Sequence, residues 1–340
     1  MKTDDVSSAP LDILVLGGTS WLGGTVARDA LARGHGVTCL ARGDSGAVPE
    51  GAKHVVADRD DPSVAYREVA DRPWDAVVDL ARQPLHVGGA LDALAASAGH
   101  WVFVSTCSVY ADDSEPGADE SAALHEPWQG DGLAPAEAYG PAKVTCEQLV
   151  LEAAPDALVA RAGLIVGYGD RSDRFGYWPA RLARAHPGDR VLAPPSDQAL
   201  QVVDVKDLAA WLVRCAEEGT AGVVNAIGIE QTVGALIDLC ALEAGHPVDV
   251  VAVDDAWLQA QGVEPWMGPD SLPLWLPRPE YAGFMSRSNA AARVAGLTFR
   301  PLADSVRAAM QWERECGLDR DRRAGLSPER ERDLLARLAG

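Results

Sequence analysis

The sequence predicts an α/β protein with a doubly wound parallel sheet and a smaller C-terminal lobe. In the first half of the 340-residue chain, short apolar runs alternate with longer amphipathic segments, as in βαβ units. The first apolar run, residues 11–16, enters a glycine-rich turn that opens a helix. The second half is less regular, and residues 262–284 combine proline, glycine and aromatic residues. We therefore predict a Rossmann-type sheet with a C-terminal substrate-binding lobe over the strand ends.

The predicted elements follow from apolar runs and from the residues that end them. Strands are predicted at residues 11–16, 37–41, 54–57, 76–80, 101–105 and 158–161, and later near 201–205 and 222–226. Helices are predicted at residues 22–33, where Gly34 ends the run, and at 88–98, 139–154, 179–186, 206–217, 233–245, 302–315 and 328–338. Residues 112–135 are rich in Asp, Glu, Gly and Pro, and we expect a long surface loop there.

These elements divide the chain into three predicted parts. Residues 11–166 form a dinucleotide-binding Rossmann domain, which also receives the strands near 201–205 and 222–226. The substrate-binding lobe takes residues 167–200 and 228–300, and residues 301–340 supply C-terminal helices. A chain of this length can hold one large domain with a smaller lobe.

Composition and charge limit the function classes. The formal net charge of −20 argues against a general binder of nucleic acid or of anionic membranes, since both partners are polyanions. No apolar stretch is long enough to span a bilayer, and residues 1–5 lack the basic and apolar pattern of a signal peptide. We therefore expect a cytoplasmic protein with a small-molecule substrate and neither a nucleic-acid nor a membrane partner. A homodimer is left open.

The cysteines and histidines give no indication of a metal site. The six Cys are scattered without a Cys-x-x-Cys pair, and most lie in apolar segments, so reduced core thiols are expected. The seven His form no metal-ligand cluster. We predict no metal.

The glycine-rich turn is the first candidate site. It has the spacing Gly17-x-x-Ser20-x-x-Gly23. Gly17 would permit the tight turn, and Gly23 would allow close packing of the helix on the strand. Backbone N–H groups from Thr19 to Leu22 would face a pyrophosphate, with Trp21 beside it. An ordinary strand-to-helix turn is the alternative interpretation.

The ends of the next strands bear on the choice of cofactor. A site for NAD usually has Asp or Glu after the second strand, whereas this chain has Ala41-Arg42-Gly43. Arg42 could pair with a 2′-phosphate, which favours NADP(H) and leaves NAD(H) possible. Asp58, after the third strand, could accept a hydrogen bond from the adenine amine. An exposed loop arginine and a plain turn carboxylate are the alternatives. Further cofactor contacts are predicted at the end of the fourth strand, at Leu80 and Ala81.

The second candidate site is Tyr139-x-x-x-Lys143. Residues four apart share one face of a helix, where an ammonium favours the phenolate and a phenol can exchange a proton with a substrate oxygen. Thr106 follows the fifth strand, where its hydroxyl could point at a substrate carbonyl; Ser105 and Ser108 are further candidates. Together with the glycine turn, this pair indicates hydride chemistry.

The combination of motifs resembles an extended short-chain dehydrogenase/reductase of the NAD(P)-dependent epimerase/dehydratase type. The resemblance covers about residues 11–315 and rests on five segments: residues 17–23, 104–110, 139–143, 161–167 and 203–209. It implies Tyr139 as the acid/base, Lys143 as the residue that holds the ribose and Thr106 as the residue that orients the substrate oxygen. It also implies that Gly163 borders the nicotinamide. Ser20 in place of the middle glycine, and Ala41-Arg42 in place of an acid, depart from the pattern.

Three functions remain open at this stage. The first is an NADP(H)-preferring oxidoreductase that moves hydride to or from a carbonyl or carbinol carbon. The second is a nucleotide-sugar epimerase or dehydratase that uses bound cofactor transiently. The third is a non-enzymatic nucleotide-binding relative, against which the complete Thr106, Tyr139 and Lys143 set argues.

The substrate pocket is predicted from the loop after the sixth strand. Loops at that edge of a doubly wound sheet lie over the crevice, so we expect Arg174 and Trp178 to line the pocket. Trp266 or Trp275 would close it from the other side of the lobe. The alternative is that these tryptophans pack the core of the lobe.

Overall fold

The computed structural model describes residues 9–338 of the chain. Its strands are β1 (Asp12–Leu16), β2 (Gly36–Ala41), β3 (Lys53–Val56), β4 (Ala76–Asp79), β5 (Trp101–Thr106), β6 (Leu158–Ala162), β7 (Leu164–Val166), β8 (Arg190–Ala193), β9 (Ala199–Leu200), β10 (Val202–Asp204), β11 (Gly222–Ala226), β12 (Gln231–Thr232), β13 (Asp249–Ala252), β14 (Glu264–Trp266) and β15 (Ser271–Pro273).

The helices alternate with these strands. They are α1 (Trp21–Ala32), α2 (Pro62–Ala65), α3 (Arg67–Ala70), α4 (Pro84–Leu94), α5 (Tyr139–Ala153), α6 (Tyr177–Arg184), α7 (Val205–Glu218), α8 (Val233–Ala244), α9 (Asp255–Ala260), α10 (Ala290–Val294), α11 (Leu302–Cys316) and α12 (Pro328–Arg337). None of the helices within residues 9–338 combines the length and the apolar character that crossing a membrane requires.

Seven strands form one parallel sheet in the order β11-β6-β5-β4-β1-β2-β3. The chain order reverses between β1 and β4, which pair from Ile13 with Ala76 to Leu16 with Asp79. Adjacent loops leave the sheet in opposite directions at such a switch point, so a crevice opens at the carboxyl edge. The predicted α/β class and Rossmann-type sheet are confirmed.

Both faces of the sheet are covered, which explains why its strands are apolar throughout. Helices α1 and α7 pack on one face and α4 and α5 on the other, around two apolar cores. A third core lies in the C-terminal lobe, where α6, α8 and α11 pack together. Trp178 and Trp275 belong to this third core.

Of the two late strands, only one joins the main sheet. The segment 222–226 joins the main sheet as β11, but Val202–Asp204 pairs with Leu164–Val166 in a separate two-stranded sheet. Between β6 and β7 stands Gly163, where an added Cβ would lie 2.7 Å from Ile227 Cγ2. The backbone therefore passes close to Ile227 and leaves the main sheet there, and the later strand follows β7. The later strand therefore lies outside the main sheet, and the division of the chain in which the Rossmann domain also receives residues 201–205 stays a prediction.

Candidate active site

The glycine-rich turn connects β1 to α1 with little room for side chains. Gly17 has φ +97°, a conformation that favours glycine, and its N–H donates to the Leu40 carbonyl oxygen at 2.8 Å. A Cβ at Gly23 would stand 2.3 Å from the Gly17 carbonyl oxygen. Helix α1 can therefore lie directly against the turn, as the spacing predicted.

Ser20 closes the turn and caps α1. Its hydroxyl donates to Gly17 O at 2.7 Å and accepts from Gly23 N–H at 3.1 Å. Its own N–H donates to Gly17 O at 2.9 Å, so that N–H is not free for a pyrophosphate. The N–H groups of Thr19, Trp21 and Leu22 donate to no backbone acceptor in the described chain and stay at the positive end of α1.

The side chains of the next two residues point away from the turn's opening. The Leu22 side chain is buried in the core under the sheet. The Trp21 Nε1 donates to Tyr168 O at 2.9 Å, which joins the turn to the loop after β7. Any cofactor contact of Leu22 is thus limited to its backbone.

A cleft of about 440 Å³ lies at the carboxyl ends of β1, β2 and β4. At one end it is lined by Arg42, Asp44 and Asp58, and at the other by Gln83, Ala134 and Ala136. The glycine turn and the β4 end form its middle. Seven of the predicted cofactor contacts line this cleft: Gly17, Thr19, Ser20, Arg42, Asp58, Leu80 and Ala81. A cleft across the switch point, with a helix N-terminus in its wall, fits a dinucleotide.

Arg42 stands between two carboxylates at the outer end of the cleft. Its Nε lies 3.3 Å from Asp44 Oδ2 and its Nη1 3.9 Å from Asp58 Oδ2. The Arg42 and Asp58 side chains are 56% and 53% exposed. Long, exposed ion pairs are weak, so the guanidinium can exchange these partners for a phosphate.

A buried ion pair that sequence reasoning missed supports the middle of the cleft, at the end of β4. Both Nη atoms of Arg59 bind the Asp79 carboxylate, at 2.9 and 3.1 Å, and its Nε donates to the Tyr66 hydroxyl at 2.8 Å. Asp79 also accepts from the Ala81 N–H at 3.0 Å. The pair fixes the β4 end, where Leu80 and Ala81 face the cleft. A carboxylate ending an otherwise apolar strand was the available sequence signal.

Tyr139 opens α5 beside the turn that follows β5. Thr106 Oγ1 accepts from the Ser108 N–H at 3.1 Å and lies 3.2 Å from Ser108 Oγ. Gly140 packs on this turn, because an added Cβ would stand 2.3 Å from Ser108 O. The start of α5, with the half-buried Tyr139, therefore lies against the turn at Ser108, more than thirty residues earlier in sequence. Ser105, the other candidate, instead donates to buried Glu147 at 2.5 Å.

Lys143 lies one helical turn after Tyr139 and is only 1% exposed. Its Nζ donates to Ala81 O at 2.8 Å and to Val104 O at 2.7 Å, and it stands 3.9 Å from the centre of the Phe103 ring. Burial lowers the pKa of Lys143 to about 8. Two of the three ammonium protons are used by carbonyls at the ends of β4 and β5, which leaves one for a ligand at this edge.

Two residues after β4 connect the cleft to Tyr139. Gln83 exchanges hydrogen bonds with the backbone of Ala134, at 2.7 and 3.2 Å, and so holds the segment that leads into α5 over the cleft. Arg82 Cζ lies 5.0 Å from the centre of the Tyr139 ring. Neither residue was predicted from the sequence, although both follow a strand of a doubly wound sheet.

Arg174 and Trp266, two of the predicted substrate residues, are in contact. Arg174 Cζ lies 5.2 Å from the Trp266 ring centre, and the Trp266 ring meets Phe284 edge-on at 5.1 Å. Burial lowers the pKa of Arg174, Asp170 and Tyr139 raise it, and Arg82 lowers it further. Arg174 therefore lies close enough to Tyr139 and Arg82 for both to act on its charge, and of these three residues Arg82 lines the cleft.

The other two predicted pocket tryptophans are in the core. Trp178 and Trp275 are both 0% exposed. Their indole N–H groups are satisfied, by Pro273 O at 2.9 Å and by Asp255 Oδ1 at 2.8 Å. A fully buried ring offers no surface to a substrate, so this expectation is corrected for Trp178 and Trp275. Gly163, the last predicted cofactor contact, lies between β6 and β7 against Ile227.

Comparison with known proteins places the chain in a family. A family model for the NAD dependent epimerase/dehydratase family matches residues 13–228. A dTDP-4-dehydrorhamnose reductase of Mycolicibacterium smegmatis is 29% identical over 299 residues, which is 86% of this chain and 82% of that protein.

Solved structures share the fold at low identity. RMD from Pseudomonas aeruginosa, complexed with NADPH, has a TM-score of 0.64 at 21% identity, over 90% of this chain and 100% of that one. WbmG from Bordetella bronchiseptica, complexed with NAD and UDP, has a TM-score of 0.67 at 14% identity, over 91% and 97% of the two chains.

The chain belongs to the NAD dependent epimerase/dehydratase family. It is thus an NAD(P)-dependent enzyme of the oxidoreductase and epimerase kind. Family membership confirms the predicted resemblance and supports the enzymatic interpretations over the non-enzymatic one.

Proposed function

We propose that this protein is a reductase or dehydrogenase that transfers hydride between a nicotinamide cofactor and a carbonyl or carbinol carbon, with Tyr139 as the proton donor or acceptor. The observation that carries the proposal is the position of Tyr139. Its ring lies beside Arg82, which lines the cleft; the next residue, Gly140, packs on the Ser108 turn, and Lys143 follows one helical turn later. The cofactor, when bound, supplies the hydride donor or acceptor.

Each residue has a separate task in the proposed reaction. Tyr139 gives a proton to the substrate oxygen during reduction and takes it back during oxidation. The Thr106 hydroxyl holds that oxygen near the phenol. Lys143 keeps a positive charge beside the β4 and β5 ends and contributes its remaining N–H to the ribose, while Arg82 adds positive charge beside the Tyr139 ring.

The cofactor would bind along the cleft with its pyrophosphate at α1. The N–H groups of Thr19, Trp21 and Leu22 would donate to it, and Gly17 leaves room for its approach. We propose a preference for NADP(H), because Arg42 lines the adenosine end and its ion pairs there are long and exposed. Asp58 would accept from the adenine amine. A cytoplasmic location and a homodimer also stay predictions.

Turnover of the Tyr139→Phe variant tests the proposal. The variant should keep the wild-type melting temperature and bind cofactor as tightly, while turnover falls by roughly two to four orders of magnitude. Wild-type protein would first be screened with NADPH and NADH against carbonyl compounds, with nucleotide sugars as a second set. Near wild-type turnover in Tyr139→Phe would show that Tyr139 is not the proton donor or acceptor. Tightly held NAD recovered by mass spectrometry, with epimerised sugar as product, would favour an epimerase instead.

A further inference from the structure

Arg174 differs from three other arginines of the C-terminal lobe because it has no carboxylate partner. Arg181, Arg320 and Arg322 each bind a buried Glu or Asp within hydrogen-bond distance. The Arg174 side chain, in contrast, makes no hydrogen bond and no ion pair with any residue in the range 9–338, and its Nε is buried. The guanidinium instead lies over the Trp266 ring, at 5.2 Å.

The nearest acidic residue that acts on Arg174 is already engaged. Asp170 accepts from the Ser172 N–H at 2.8 Å and from the Ser172 hydroxyl at 3.0 Å. These hydrogen bonds hold the carboxylate to its own loop. In a protein of net charge −20, a half-buried arginine without an anionic partner is a costly arrangement. An anion brought by a ligand would remove that cost.

The backbone around Trp266 keeps the ring in place under the guanidinium. Trp266 has φ +67°, a conformation that non-glycine residues rarely adopt, and its N–H donates to Trp275 O at 2.9 Å. Phe284 packs edge-on against the same ring. An unusual backbone conformation that is held by its surroundings is typical of ligand-binding positions.

Resting on the proposed function, we propose that the substrate carries a carboxylate or phosphate close to its reacting carbon, and that Arg174, stacked on Trp266, binds this anion beside Tyr139. Arg82, 5.0 Å from the Tyr139 ring centre, provides a second cation near the phenol. A planar guanidinium supported by an aromatic ring presents a fork of N–H donors that matches both anions. The negative group therefore lies next to the proton-transfer residue, within a few bonds of the carbonyl.

Isothermal titration with malonate and, separately, inorganic phosphate tests this proposal. The protein is titrated with and without saturating cofactor, as wild type, Arg174→Gln, Arg174→Lys and Arg307→Gln. Arg307 is a matched control, because it is an exposed arginine of the same lobe that pairs with Glu243 and Asp304. We expect one anion to bind wild type, with at least tenfold loss in Arg174→Gln, partial recovery in Arg174→Lys and no change in Arg307→Gln. The anion that binds distinguishes a carboxylate from a phosphate substrate.

Two results would overturn the proposal. One is wild-type protein that binds neither anion; the other is binding that persists unchanged in Arg174→Gln. Melting temperatures of the variants show whether the lobe has stayed folded. Failure of the proposed function has a different signature, because cofactor binding and the Tyr139→Phe effect are measured independently of anion affinity. If anion binding does not depend on Arg174, while cofactor binding and the Tyr139→Phe effect are as expected, only the present inference is contradicted.

Discussion

Gly140 lies so close to Ser108 that a Cβ at position 140 would stand 2.3 Å from the Ser108 carbonyl oxygen. No real Cβ tolerates that distance, and a carbonyl oxygen is not a flexible side-chain end. Helix α5 and the turn after β5 are therefore in contact through the one residue type that allows it. The contact holds the start of α5, where Tyr139 lies, against the turn that follows Thr106.

Replacing Gly140 with Ala should push these two elements apart. We expect destabilisation of about 1–3 kcal/mol, the usual cost of overpacking, and a loss of turnover larger than the loss of folded protein explains. Gly88→Ala in α4 is the control, because its added Cβ would meet only Leu149 Cδ1 at 3.9 Å. Thermal melts and steady-state kinetics on both variants check this. A Gly140→Ala enzyme with normal turnover would show that the spacing is not needed.

Arg42→Ala should weaken NADPH binding more than NADH binding. Loss of a charge-assisted contact to the 2′-phosphate costs about 1.5–3 kcal/mol, or roughly ten- to a hundredfold in Kd. Arg67→Ala, which removes an exposed arginine of α3 outside the cleft, is the control for net charge. Fluorescence titration of wild type, Arg42→Ala and Arg67→Ala with both cofactors gives the six affinities needed. Equal wild-type affinity for NADPH and NADH would contradict the preference.

Lys143 should make the stability of the protein depend on pH above neutrality. Burial lowers the pKa of Lys143 from 10.5 to about 8, so the native protein releases this proton earlier than the unfolded chain does. Between those values the unfolded chain binds more protons, and the free energy of unfolding therefore rises with pH. The destabilisation caused by burying the charged Lys143 is fully present below about pH 8, and it lowers the free energy of unfolding by about 3 kcal/mol at most.

Urea unfolding of wild type and Lys143→Met at several pH values isolates this effect. The loss of the hydrogen bonds to Ala81 and Val104 shifts the variant by a constant amount. Only the proton-linked part changes with pH, so the stability of wild type relative to the variant should increase as pH rises from about 8 to 10. A difference that stays flat over this interval would mean that Lys143 stays charged in the native protein, as it does in the unfolded chain.

Trp178→Ala should act on stability, and Trp266→Ala on catalysis. Trp178 is fully buried and its removal leaves a large cavity, so we expect a loss of about 3–5 kcal/mol. Trp266 is partly exposed and lies under Arg174, so its variant should melt closer to wild type and show a raised KM. Differential scanning calorimetry and kinetics on both proteins separate the roles. A reversed pattern would place the pocket on the Trp178 side of the lobe.

The sequence by itself determined the order of the elements and the chemistry at each strand end. Buried parallel strands must be apolar on both faces, and glycine and serine at fixed spacing define the turn into α1, so these features can be recognised from local patterns. Tyr139 and Lys143 were identified for the same reason, because helical spacing alone puts them on one face. Their neighbours Arg82 and Gln83 were not predicted. Both contact residues more than fifty positions later in the chain, and no pattern near residues 82–83 indicates such a contact.

Only the tertiary structure decided which of several similar residues face the cleft. Trp178, Trp266 and Trp275 have the same side chain and the same kind of sequence context, yet two are buried and one lies under Arg174. Likewise, the apolar pattern of Val202–Asp204 predicts a strand, but this strand pairs with β7 because the backbone leaves the main sheet at Gly163. Such outcomes depend on how distant segments pack together. Packing of this kind is a property of the whole chain and leaves no periodic signal in any one segment.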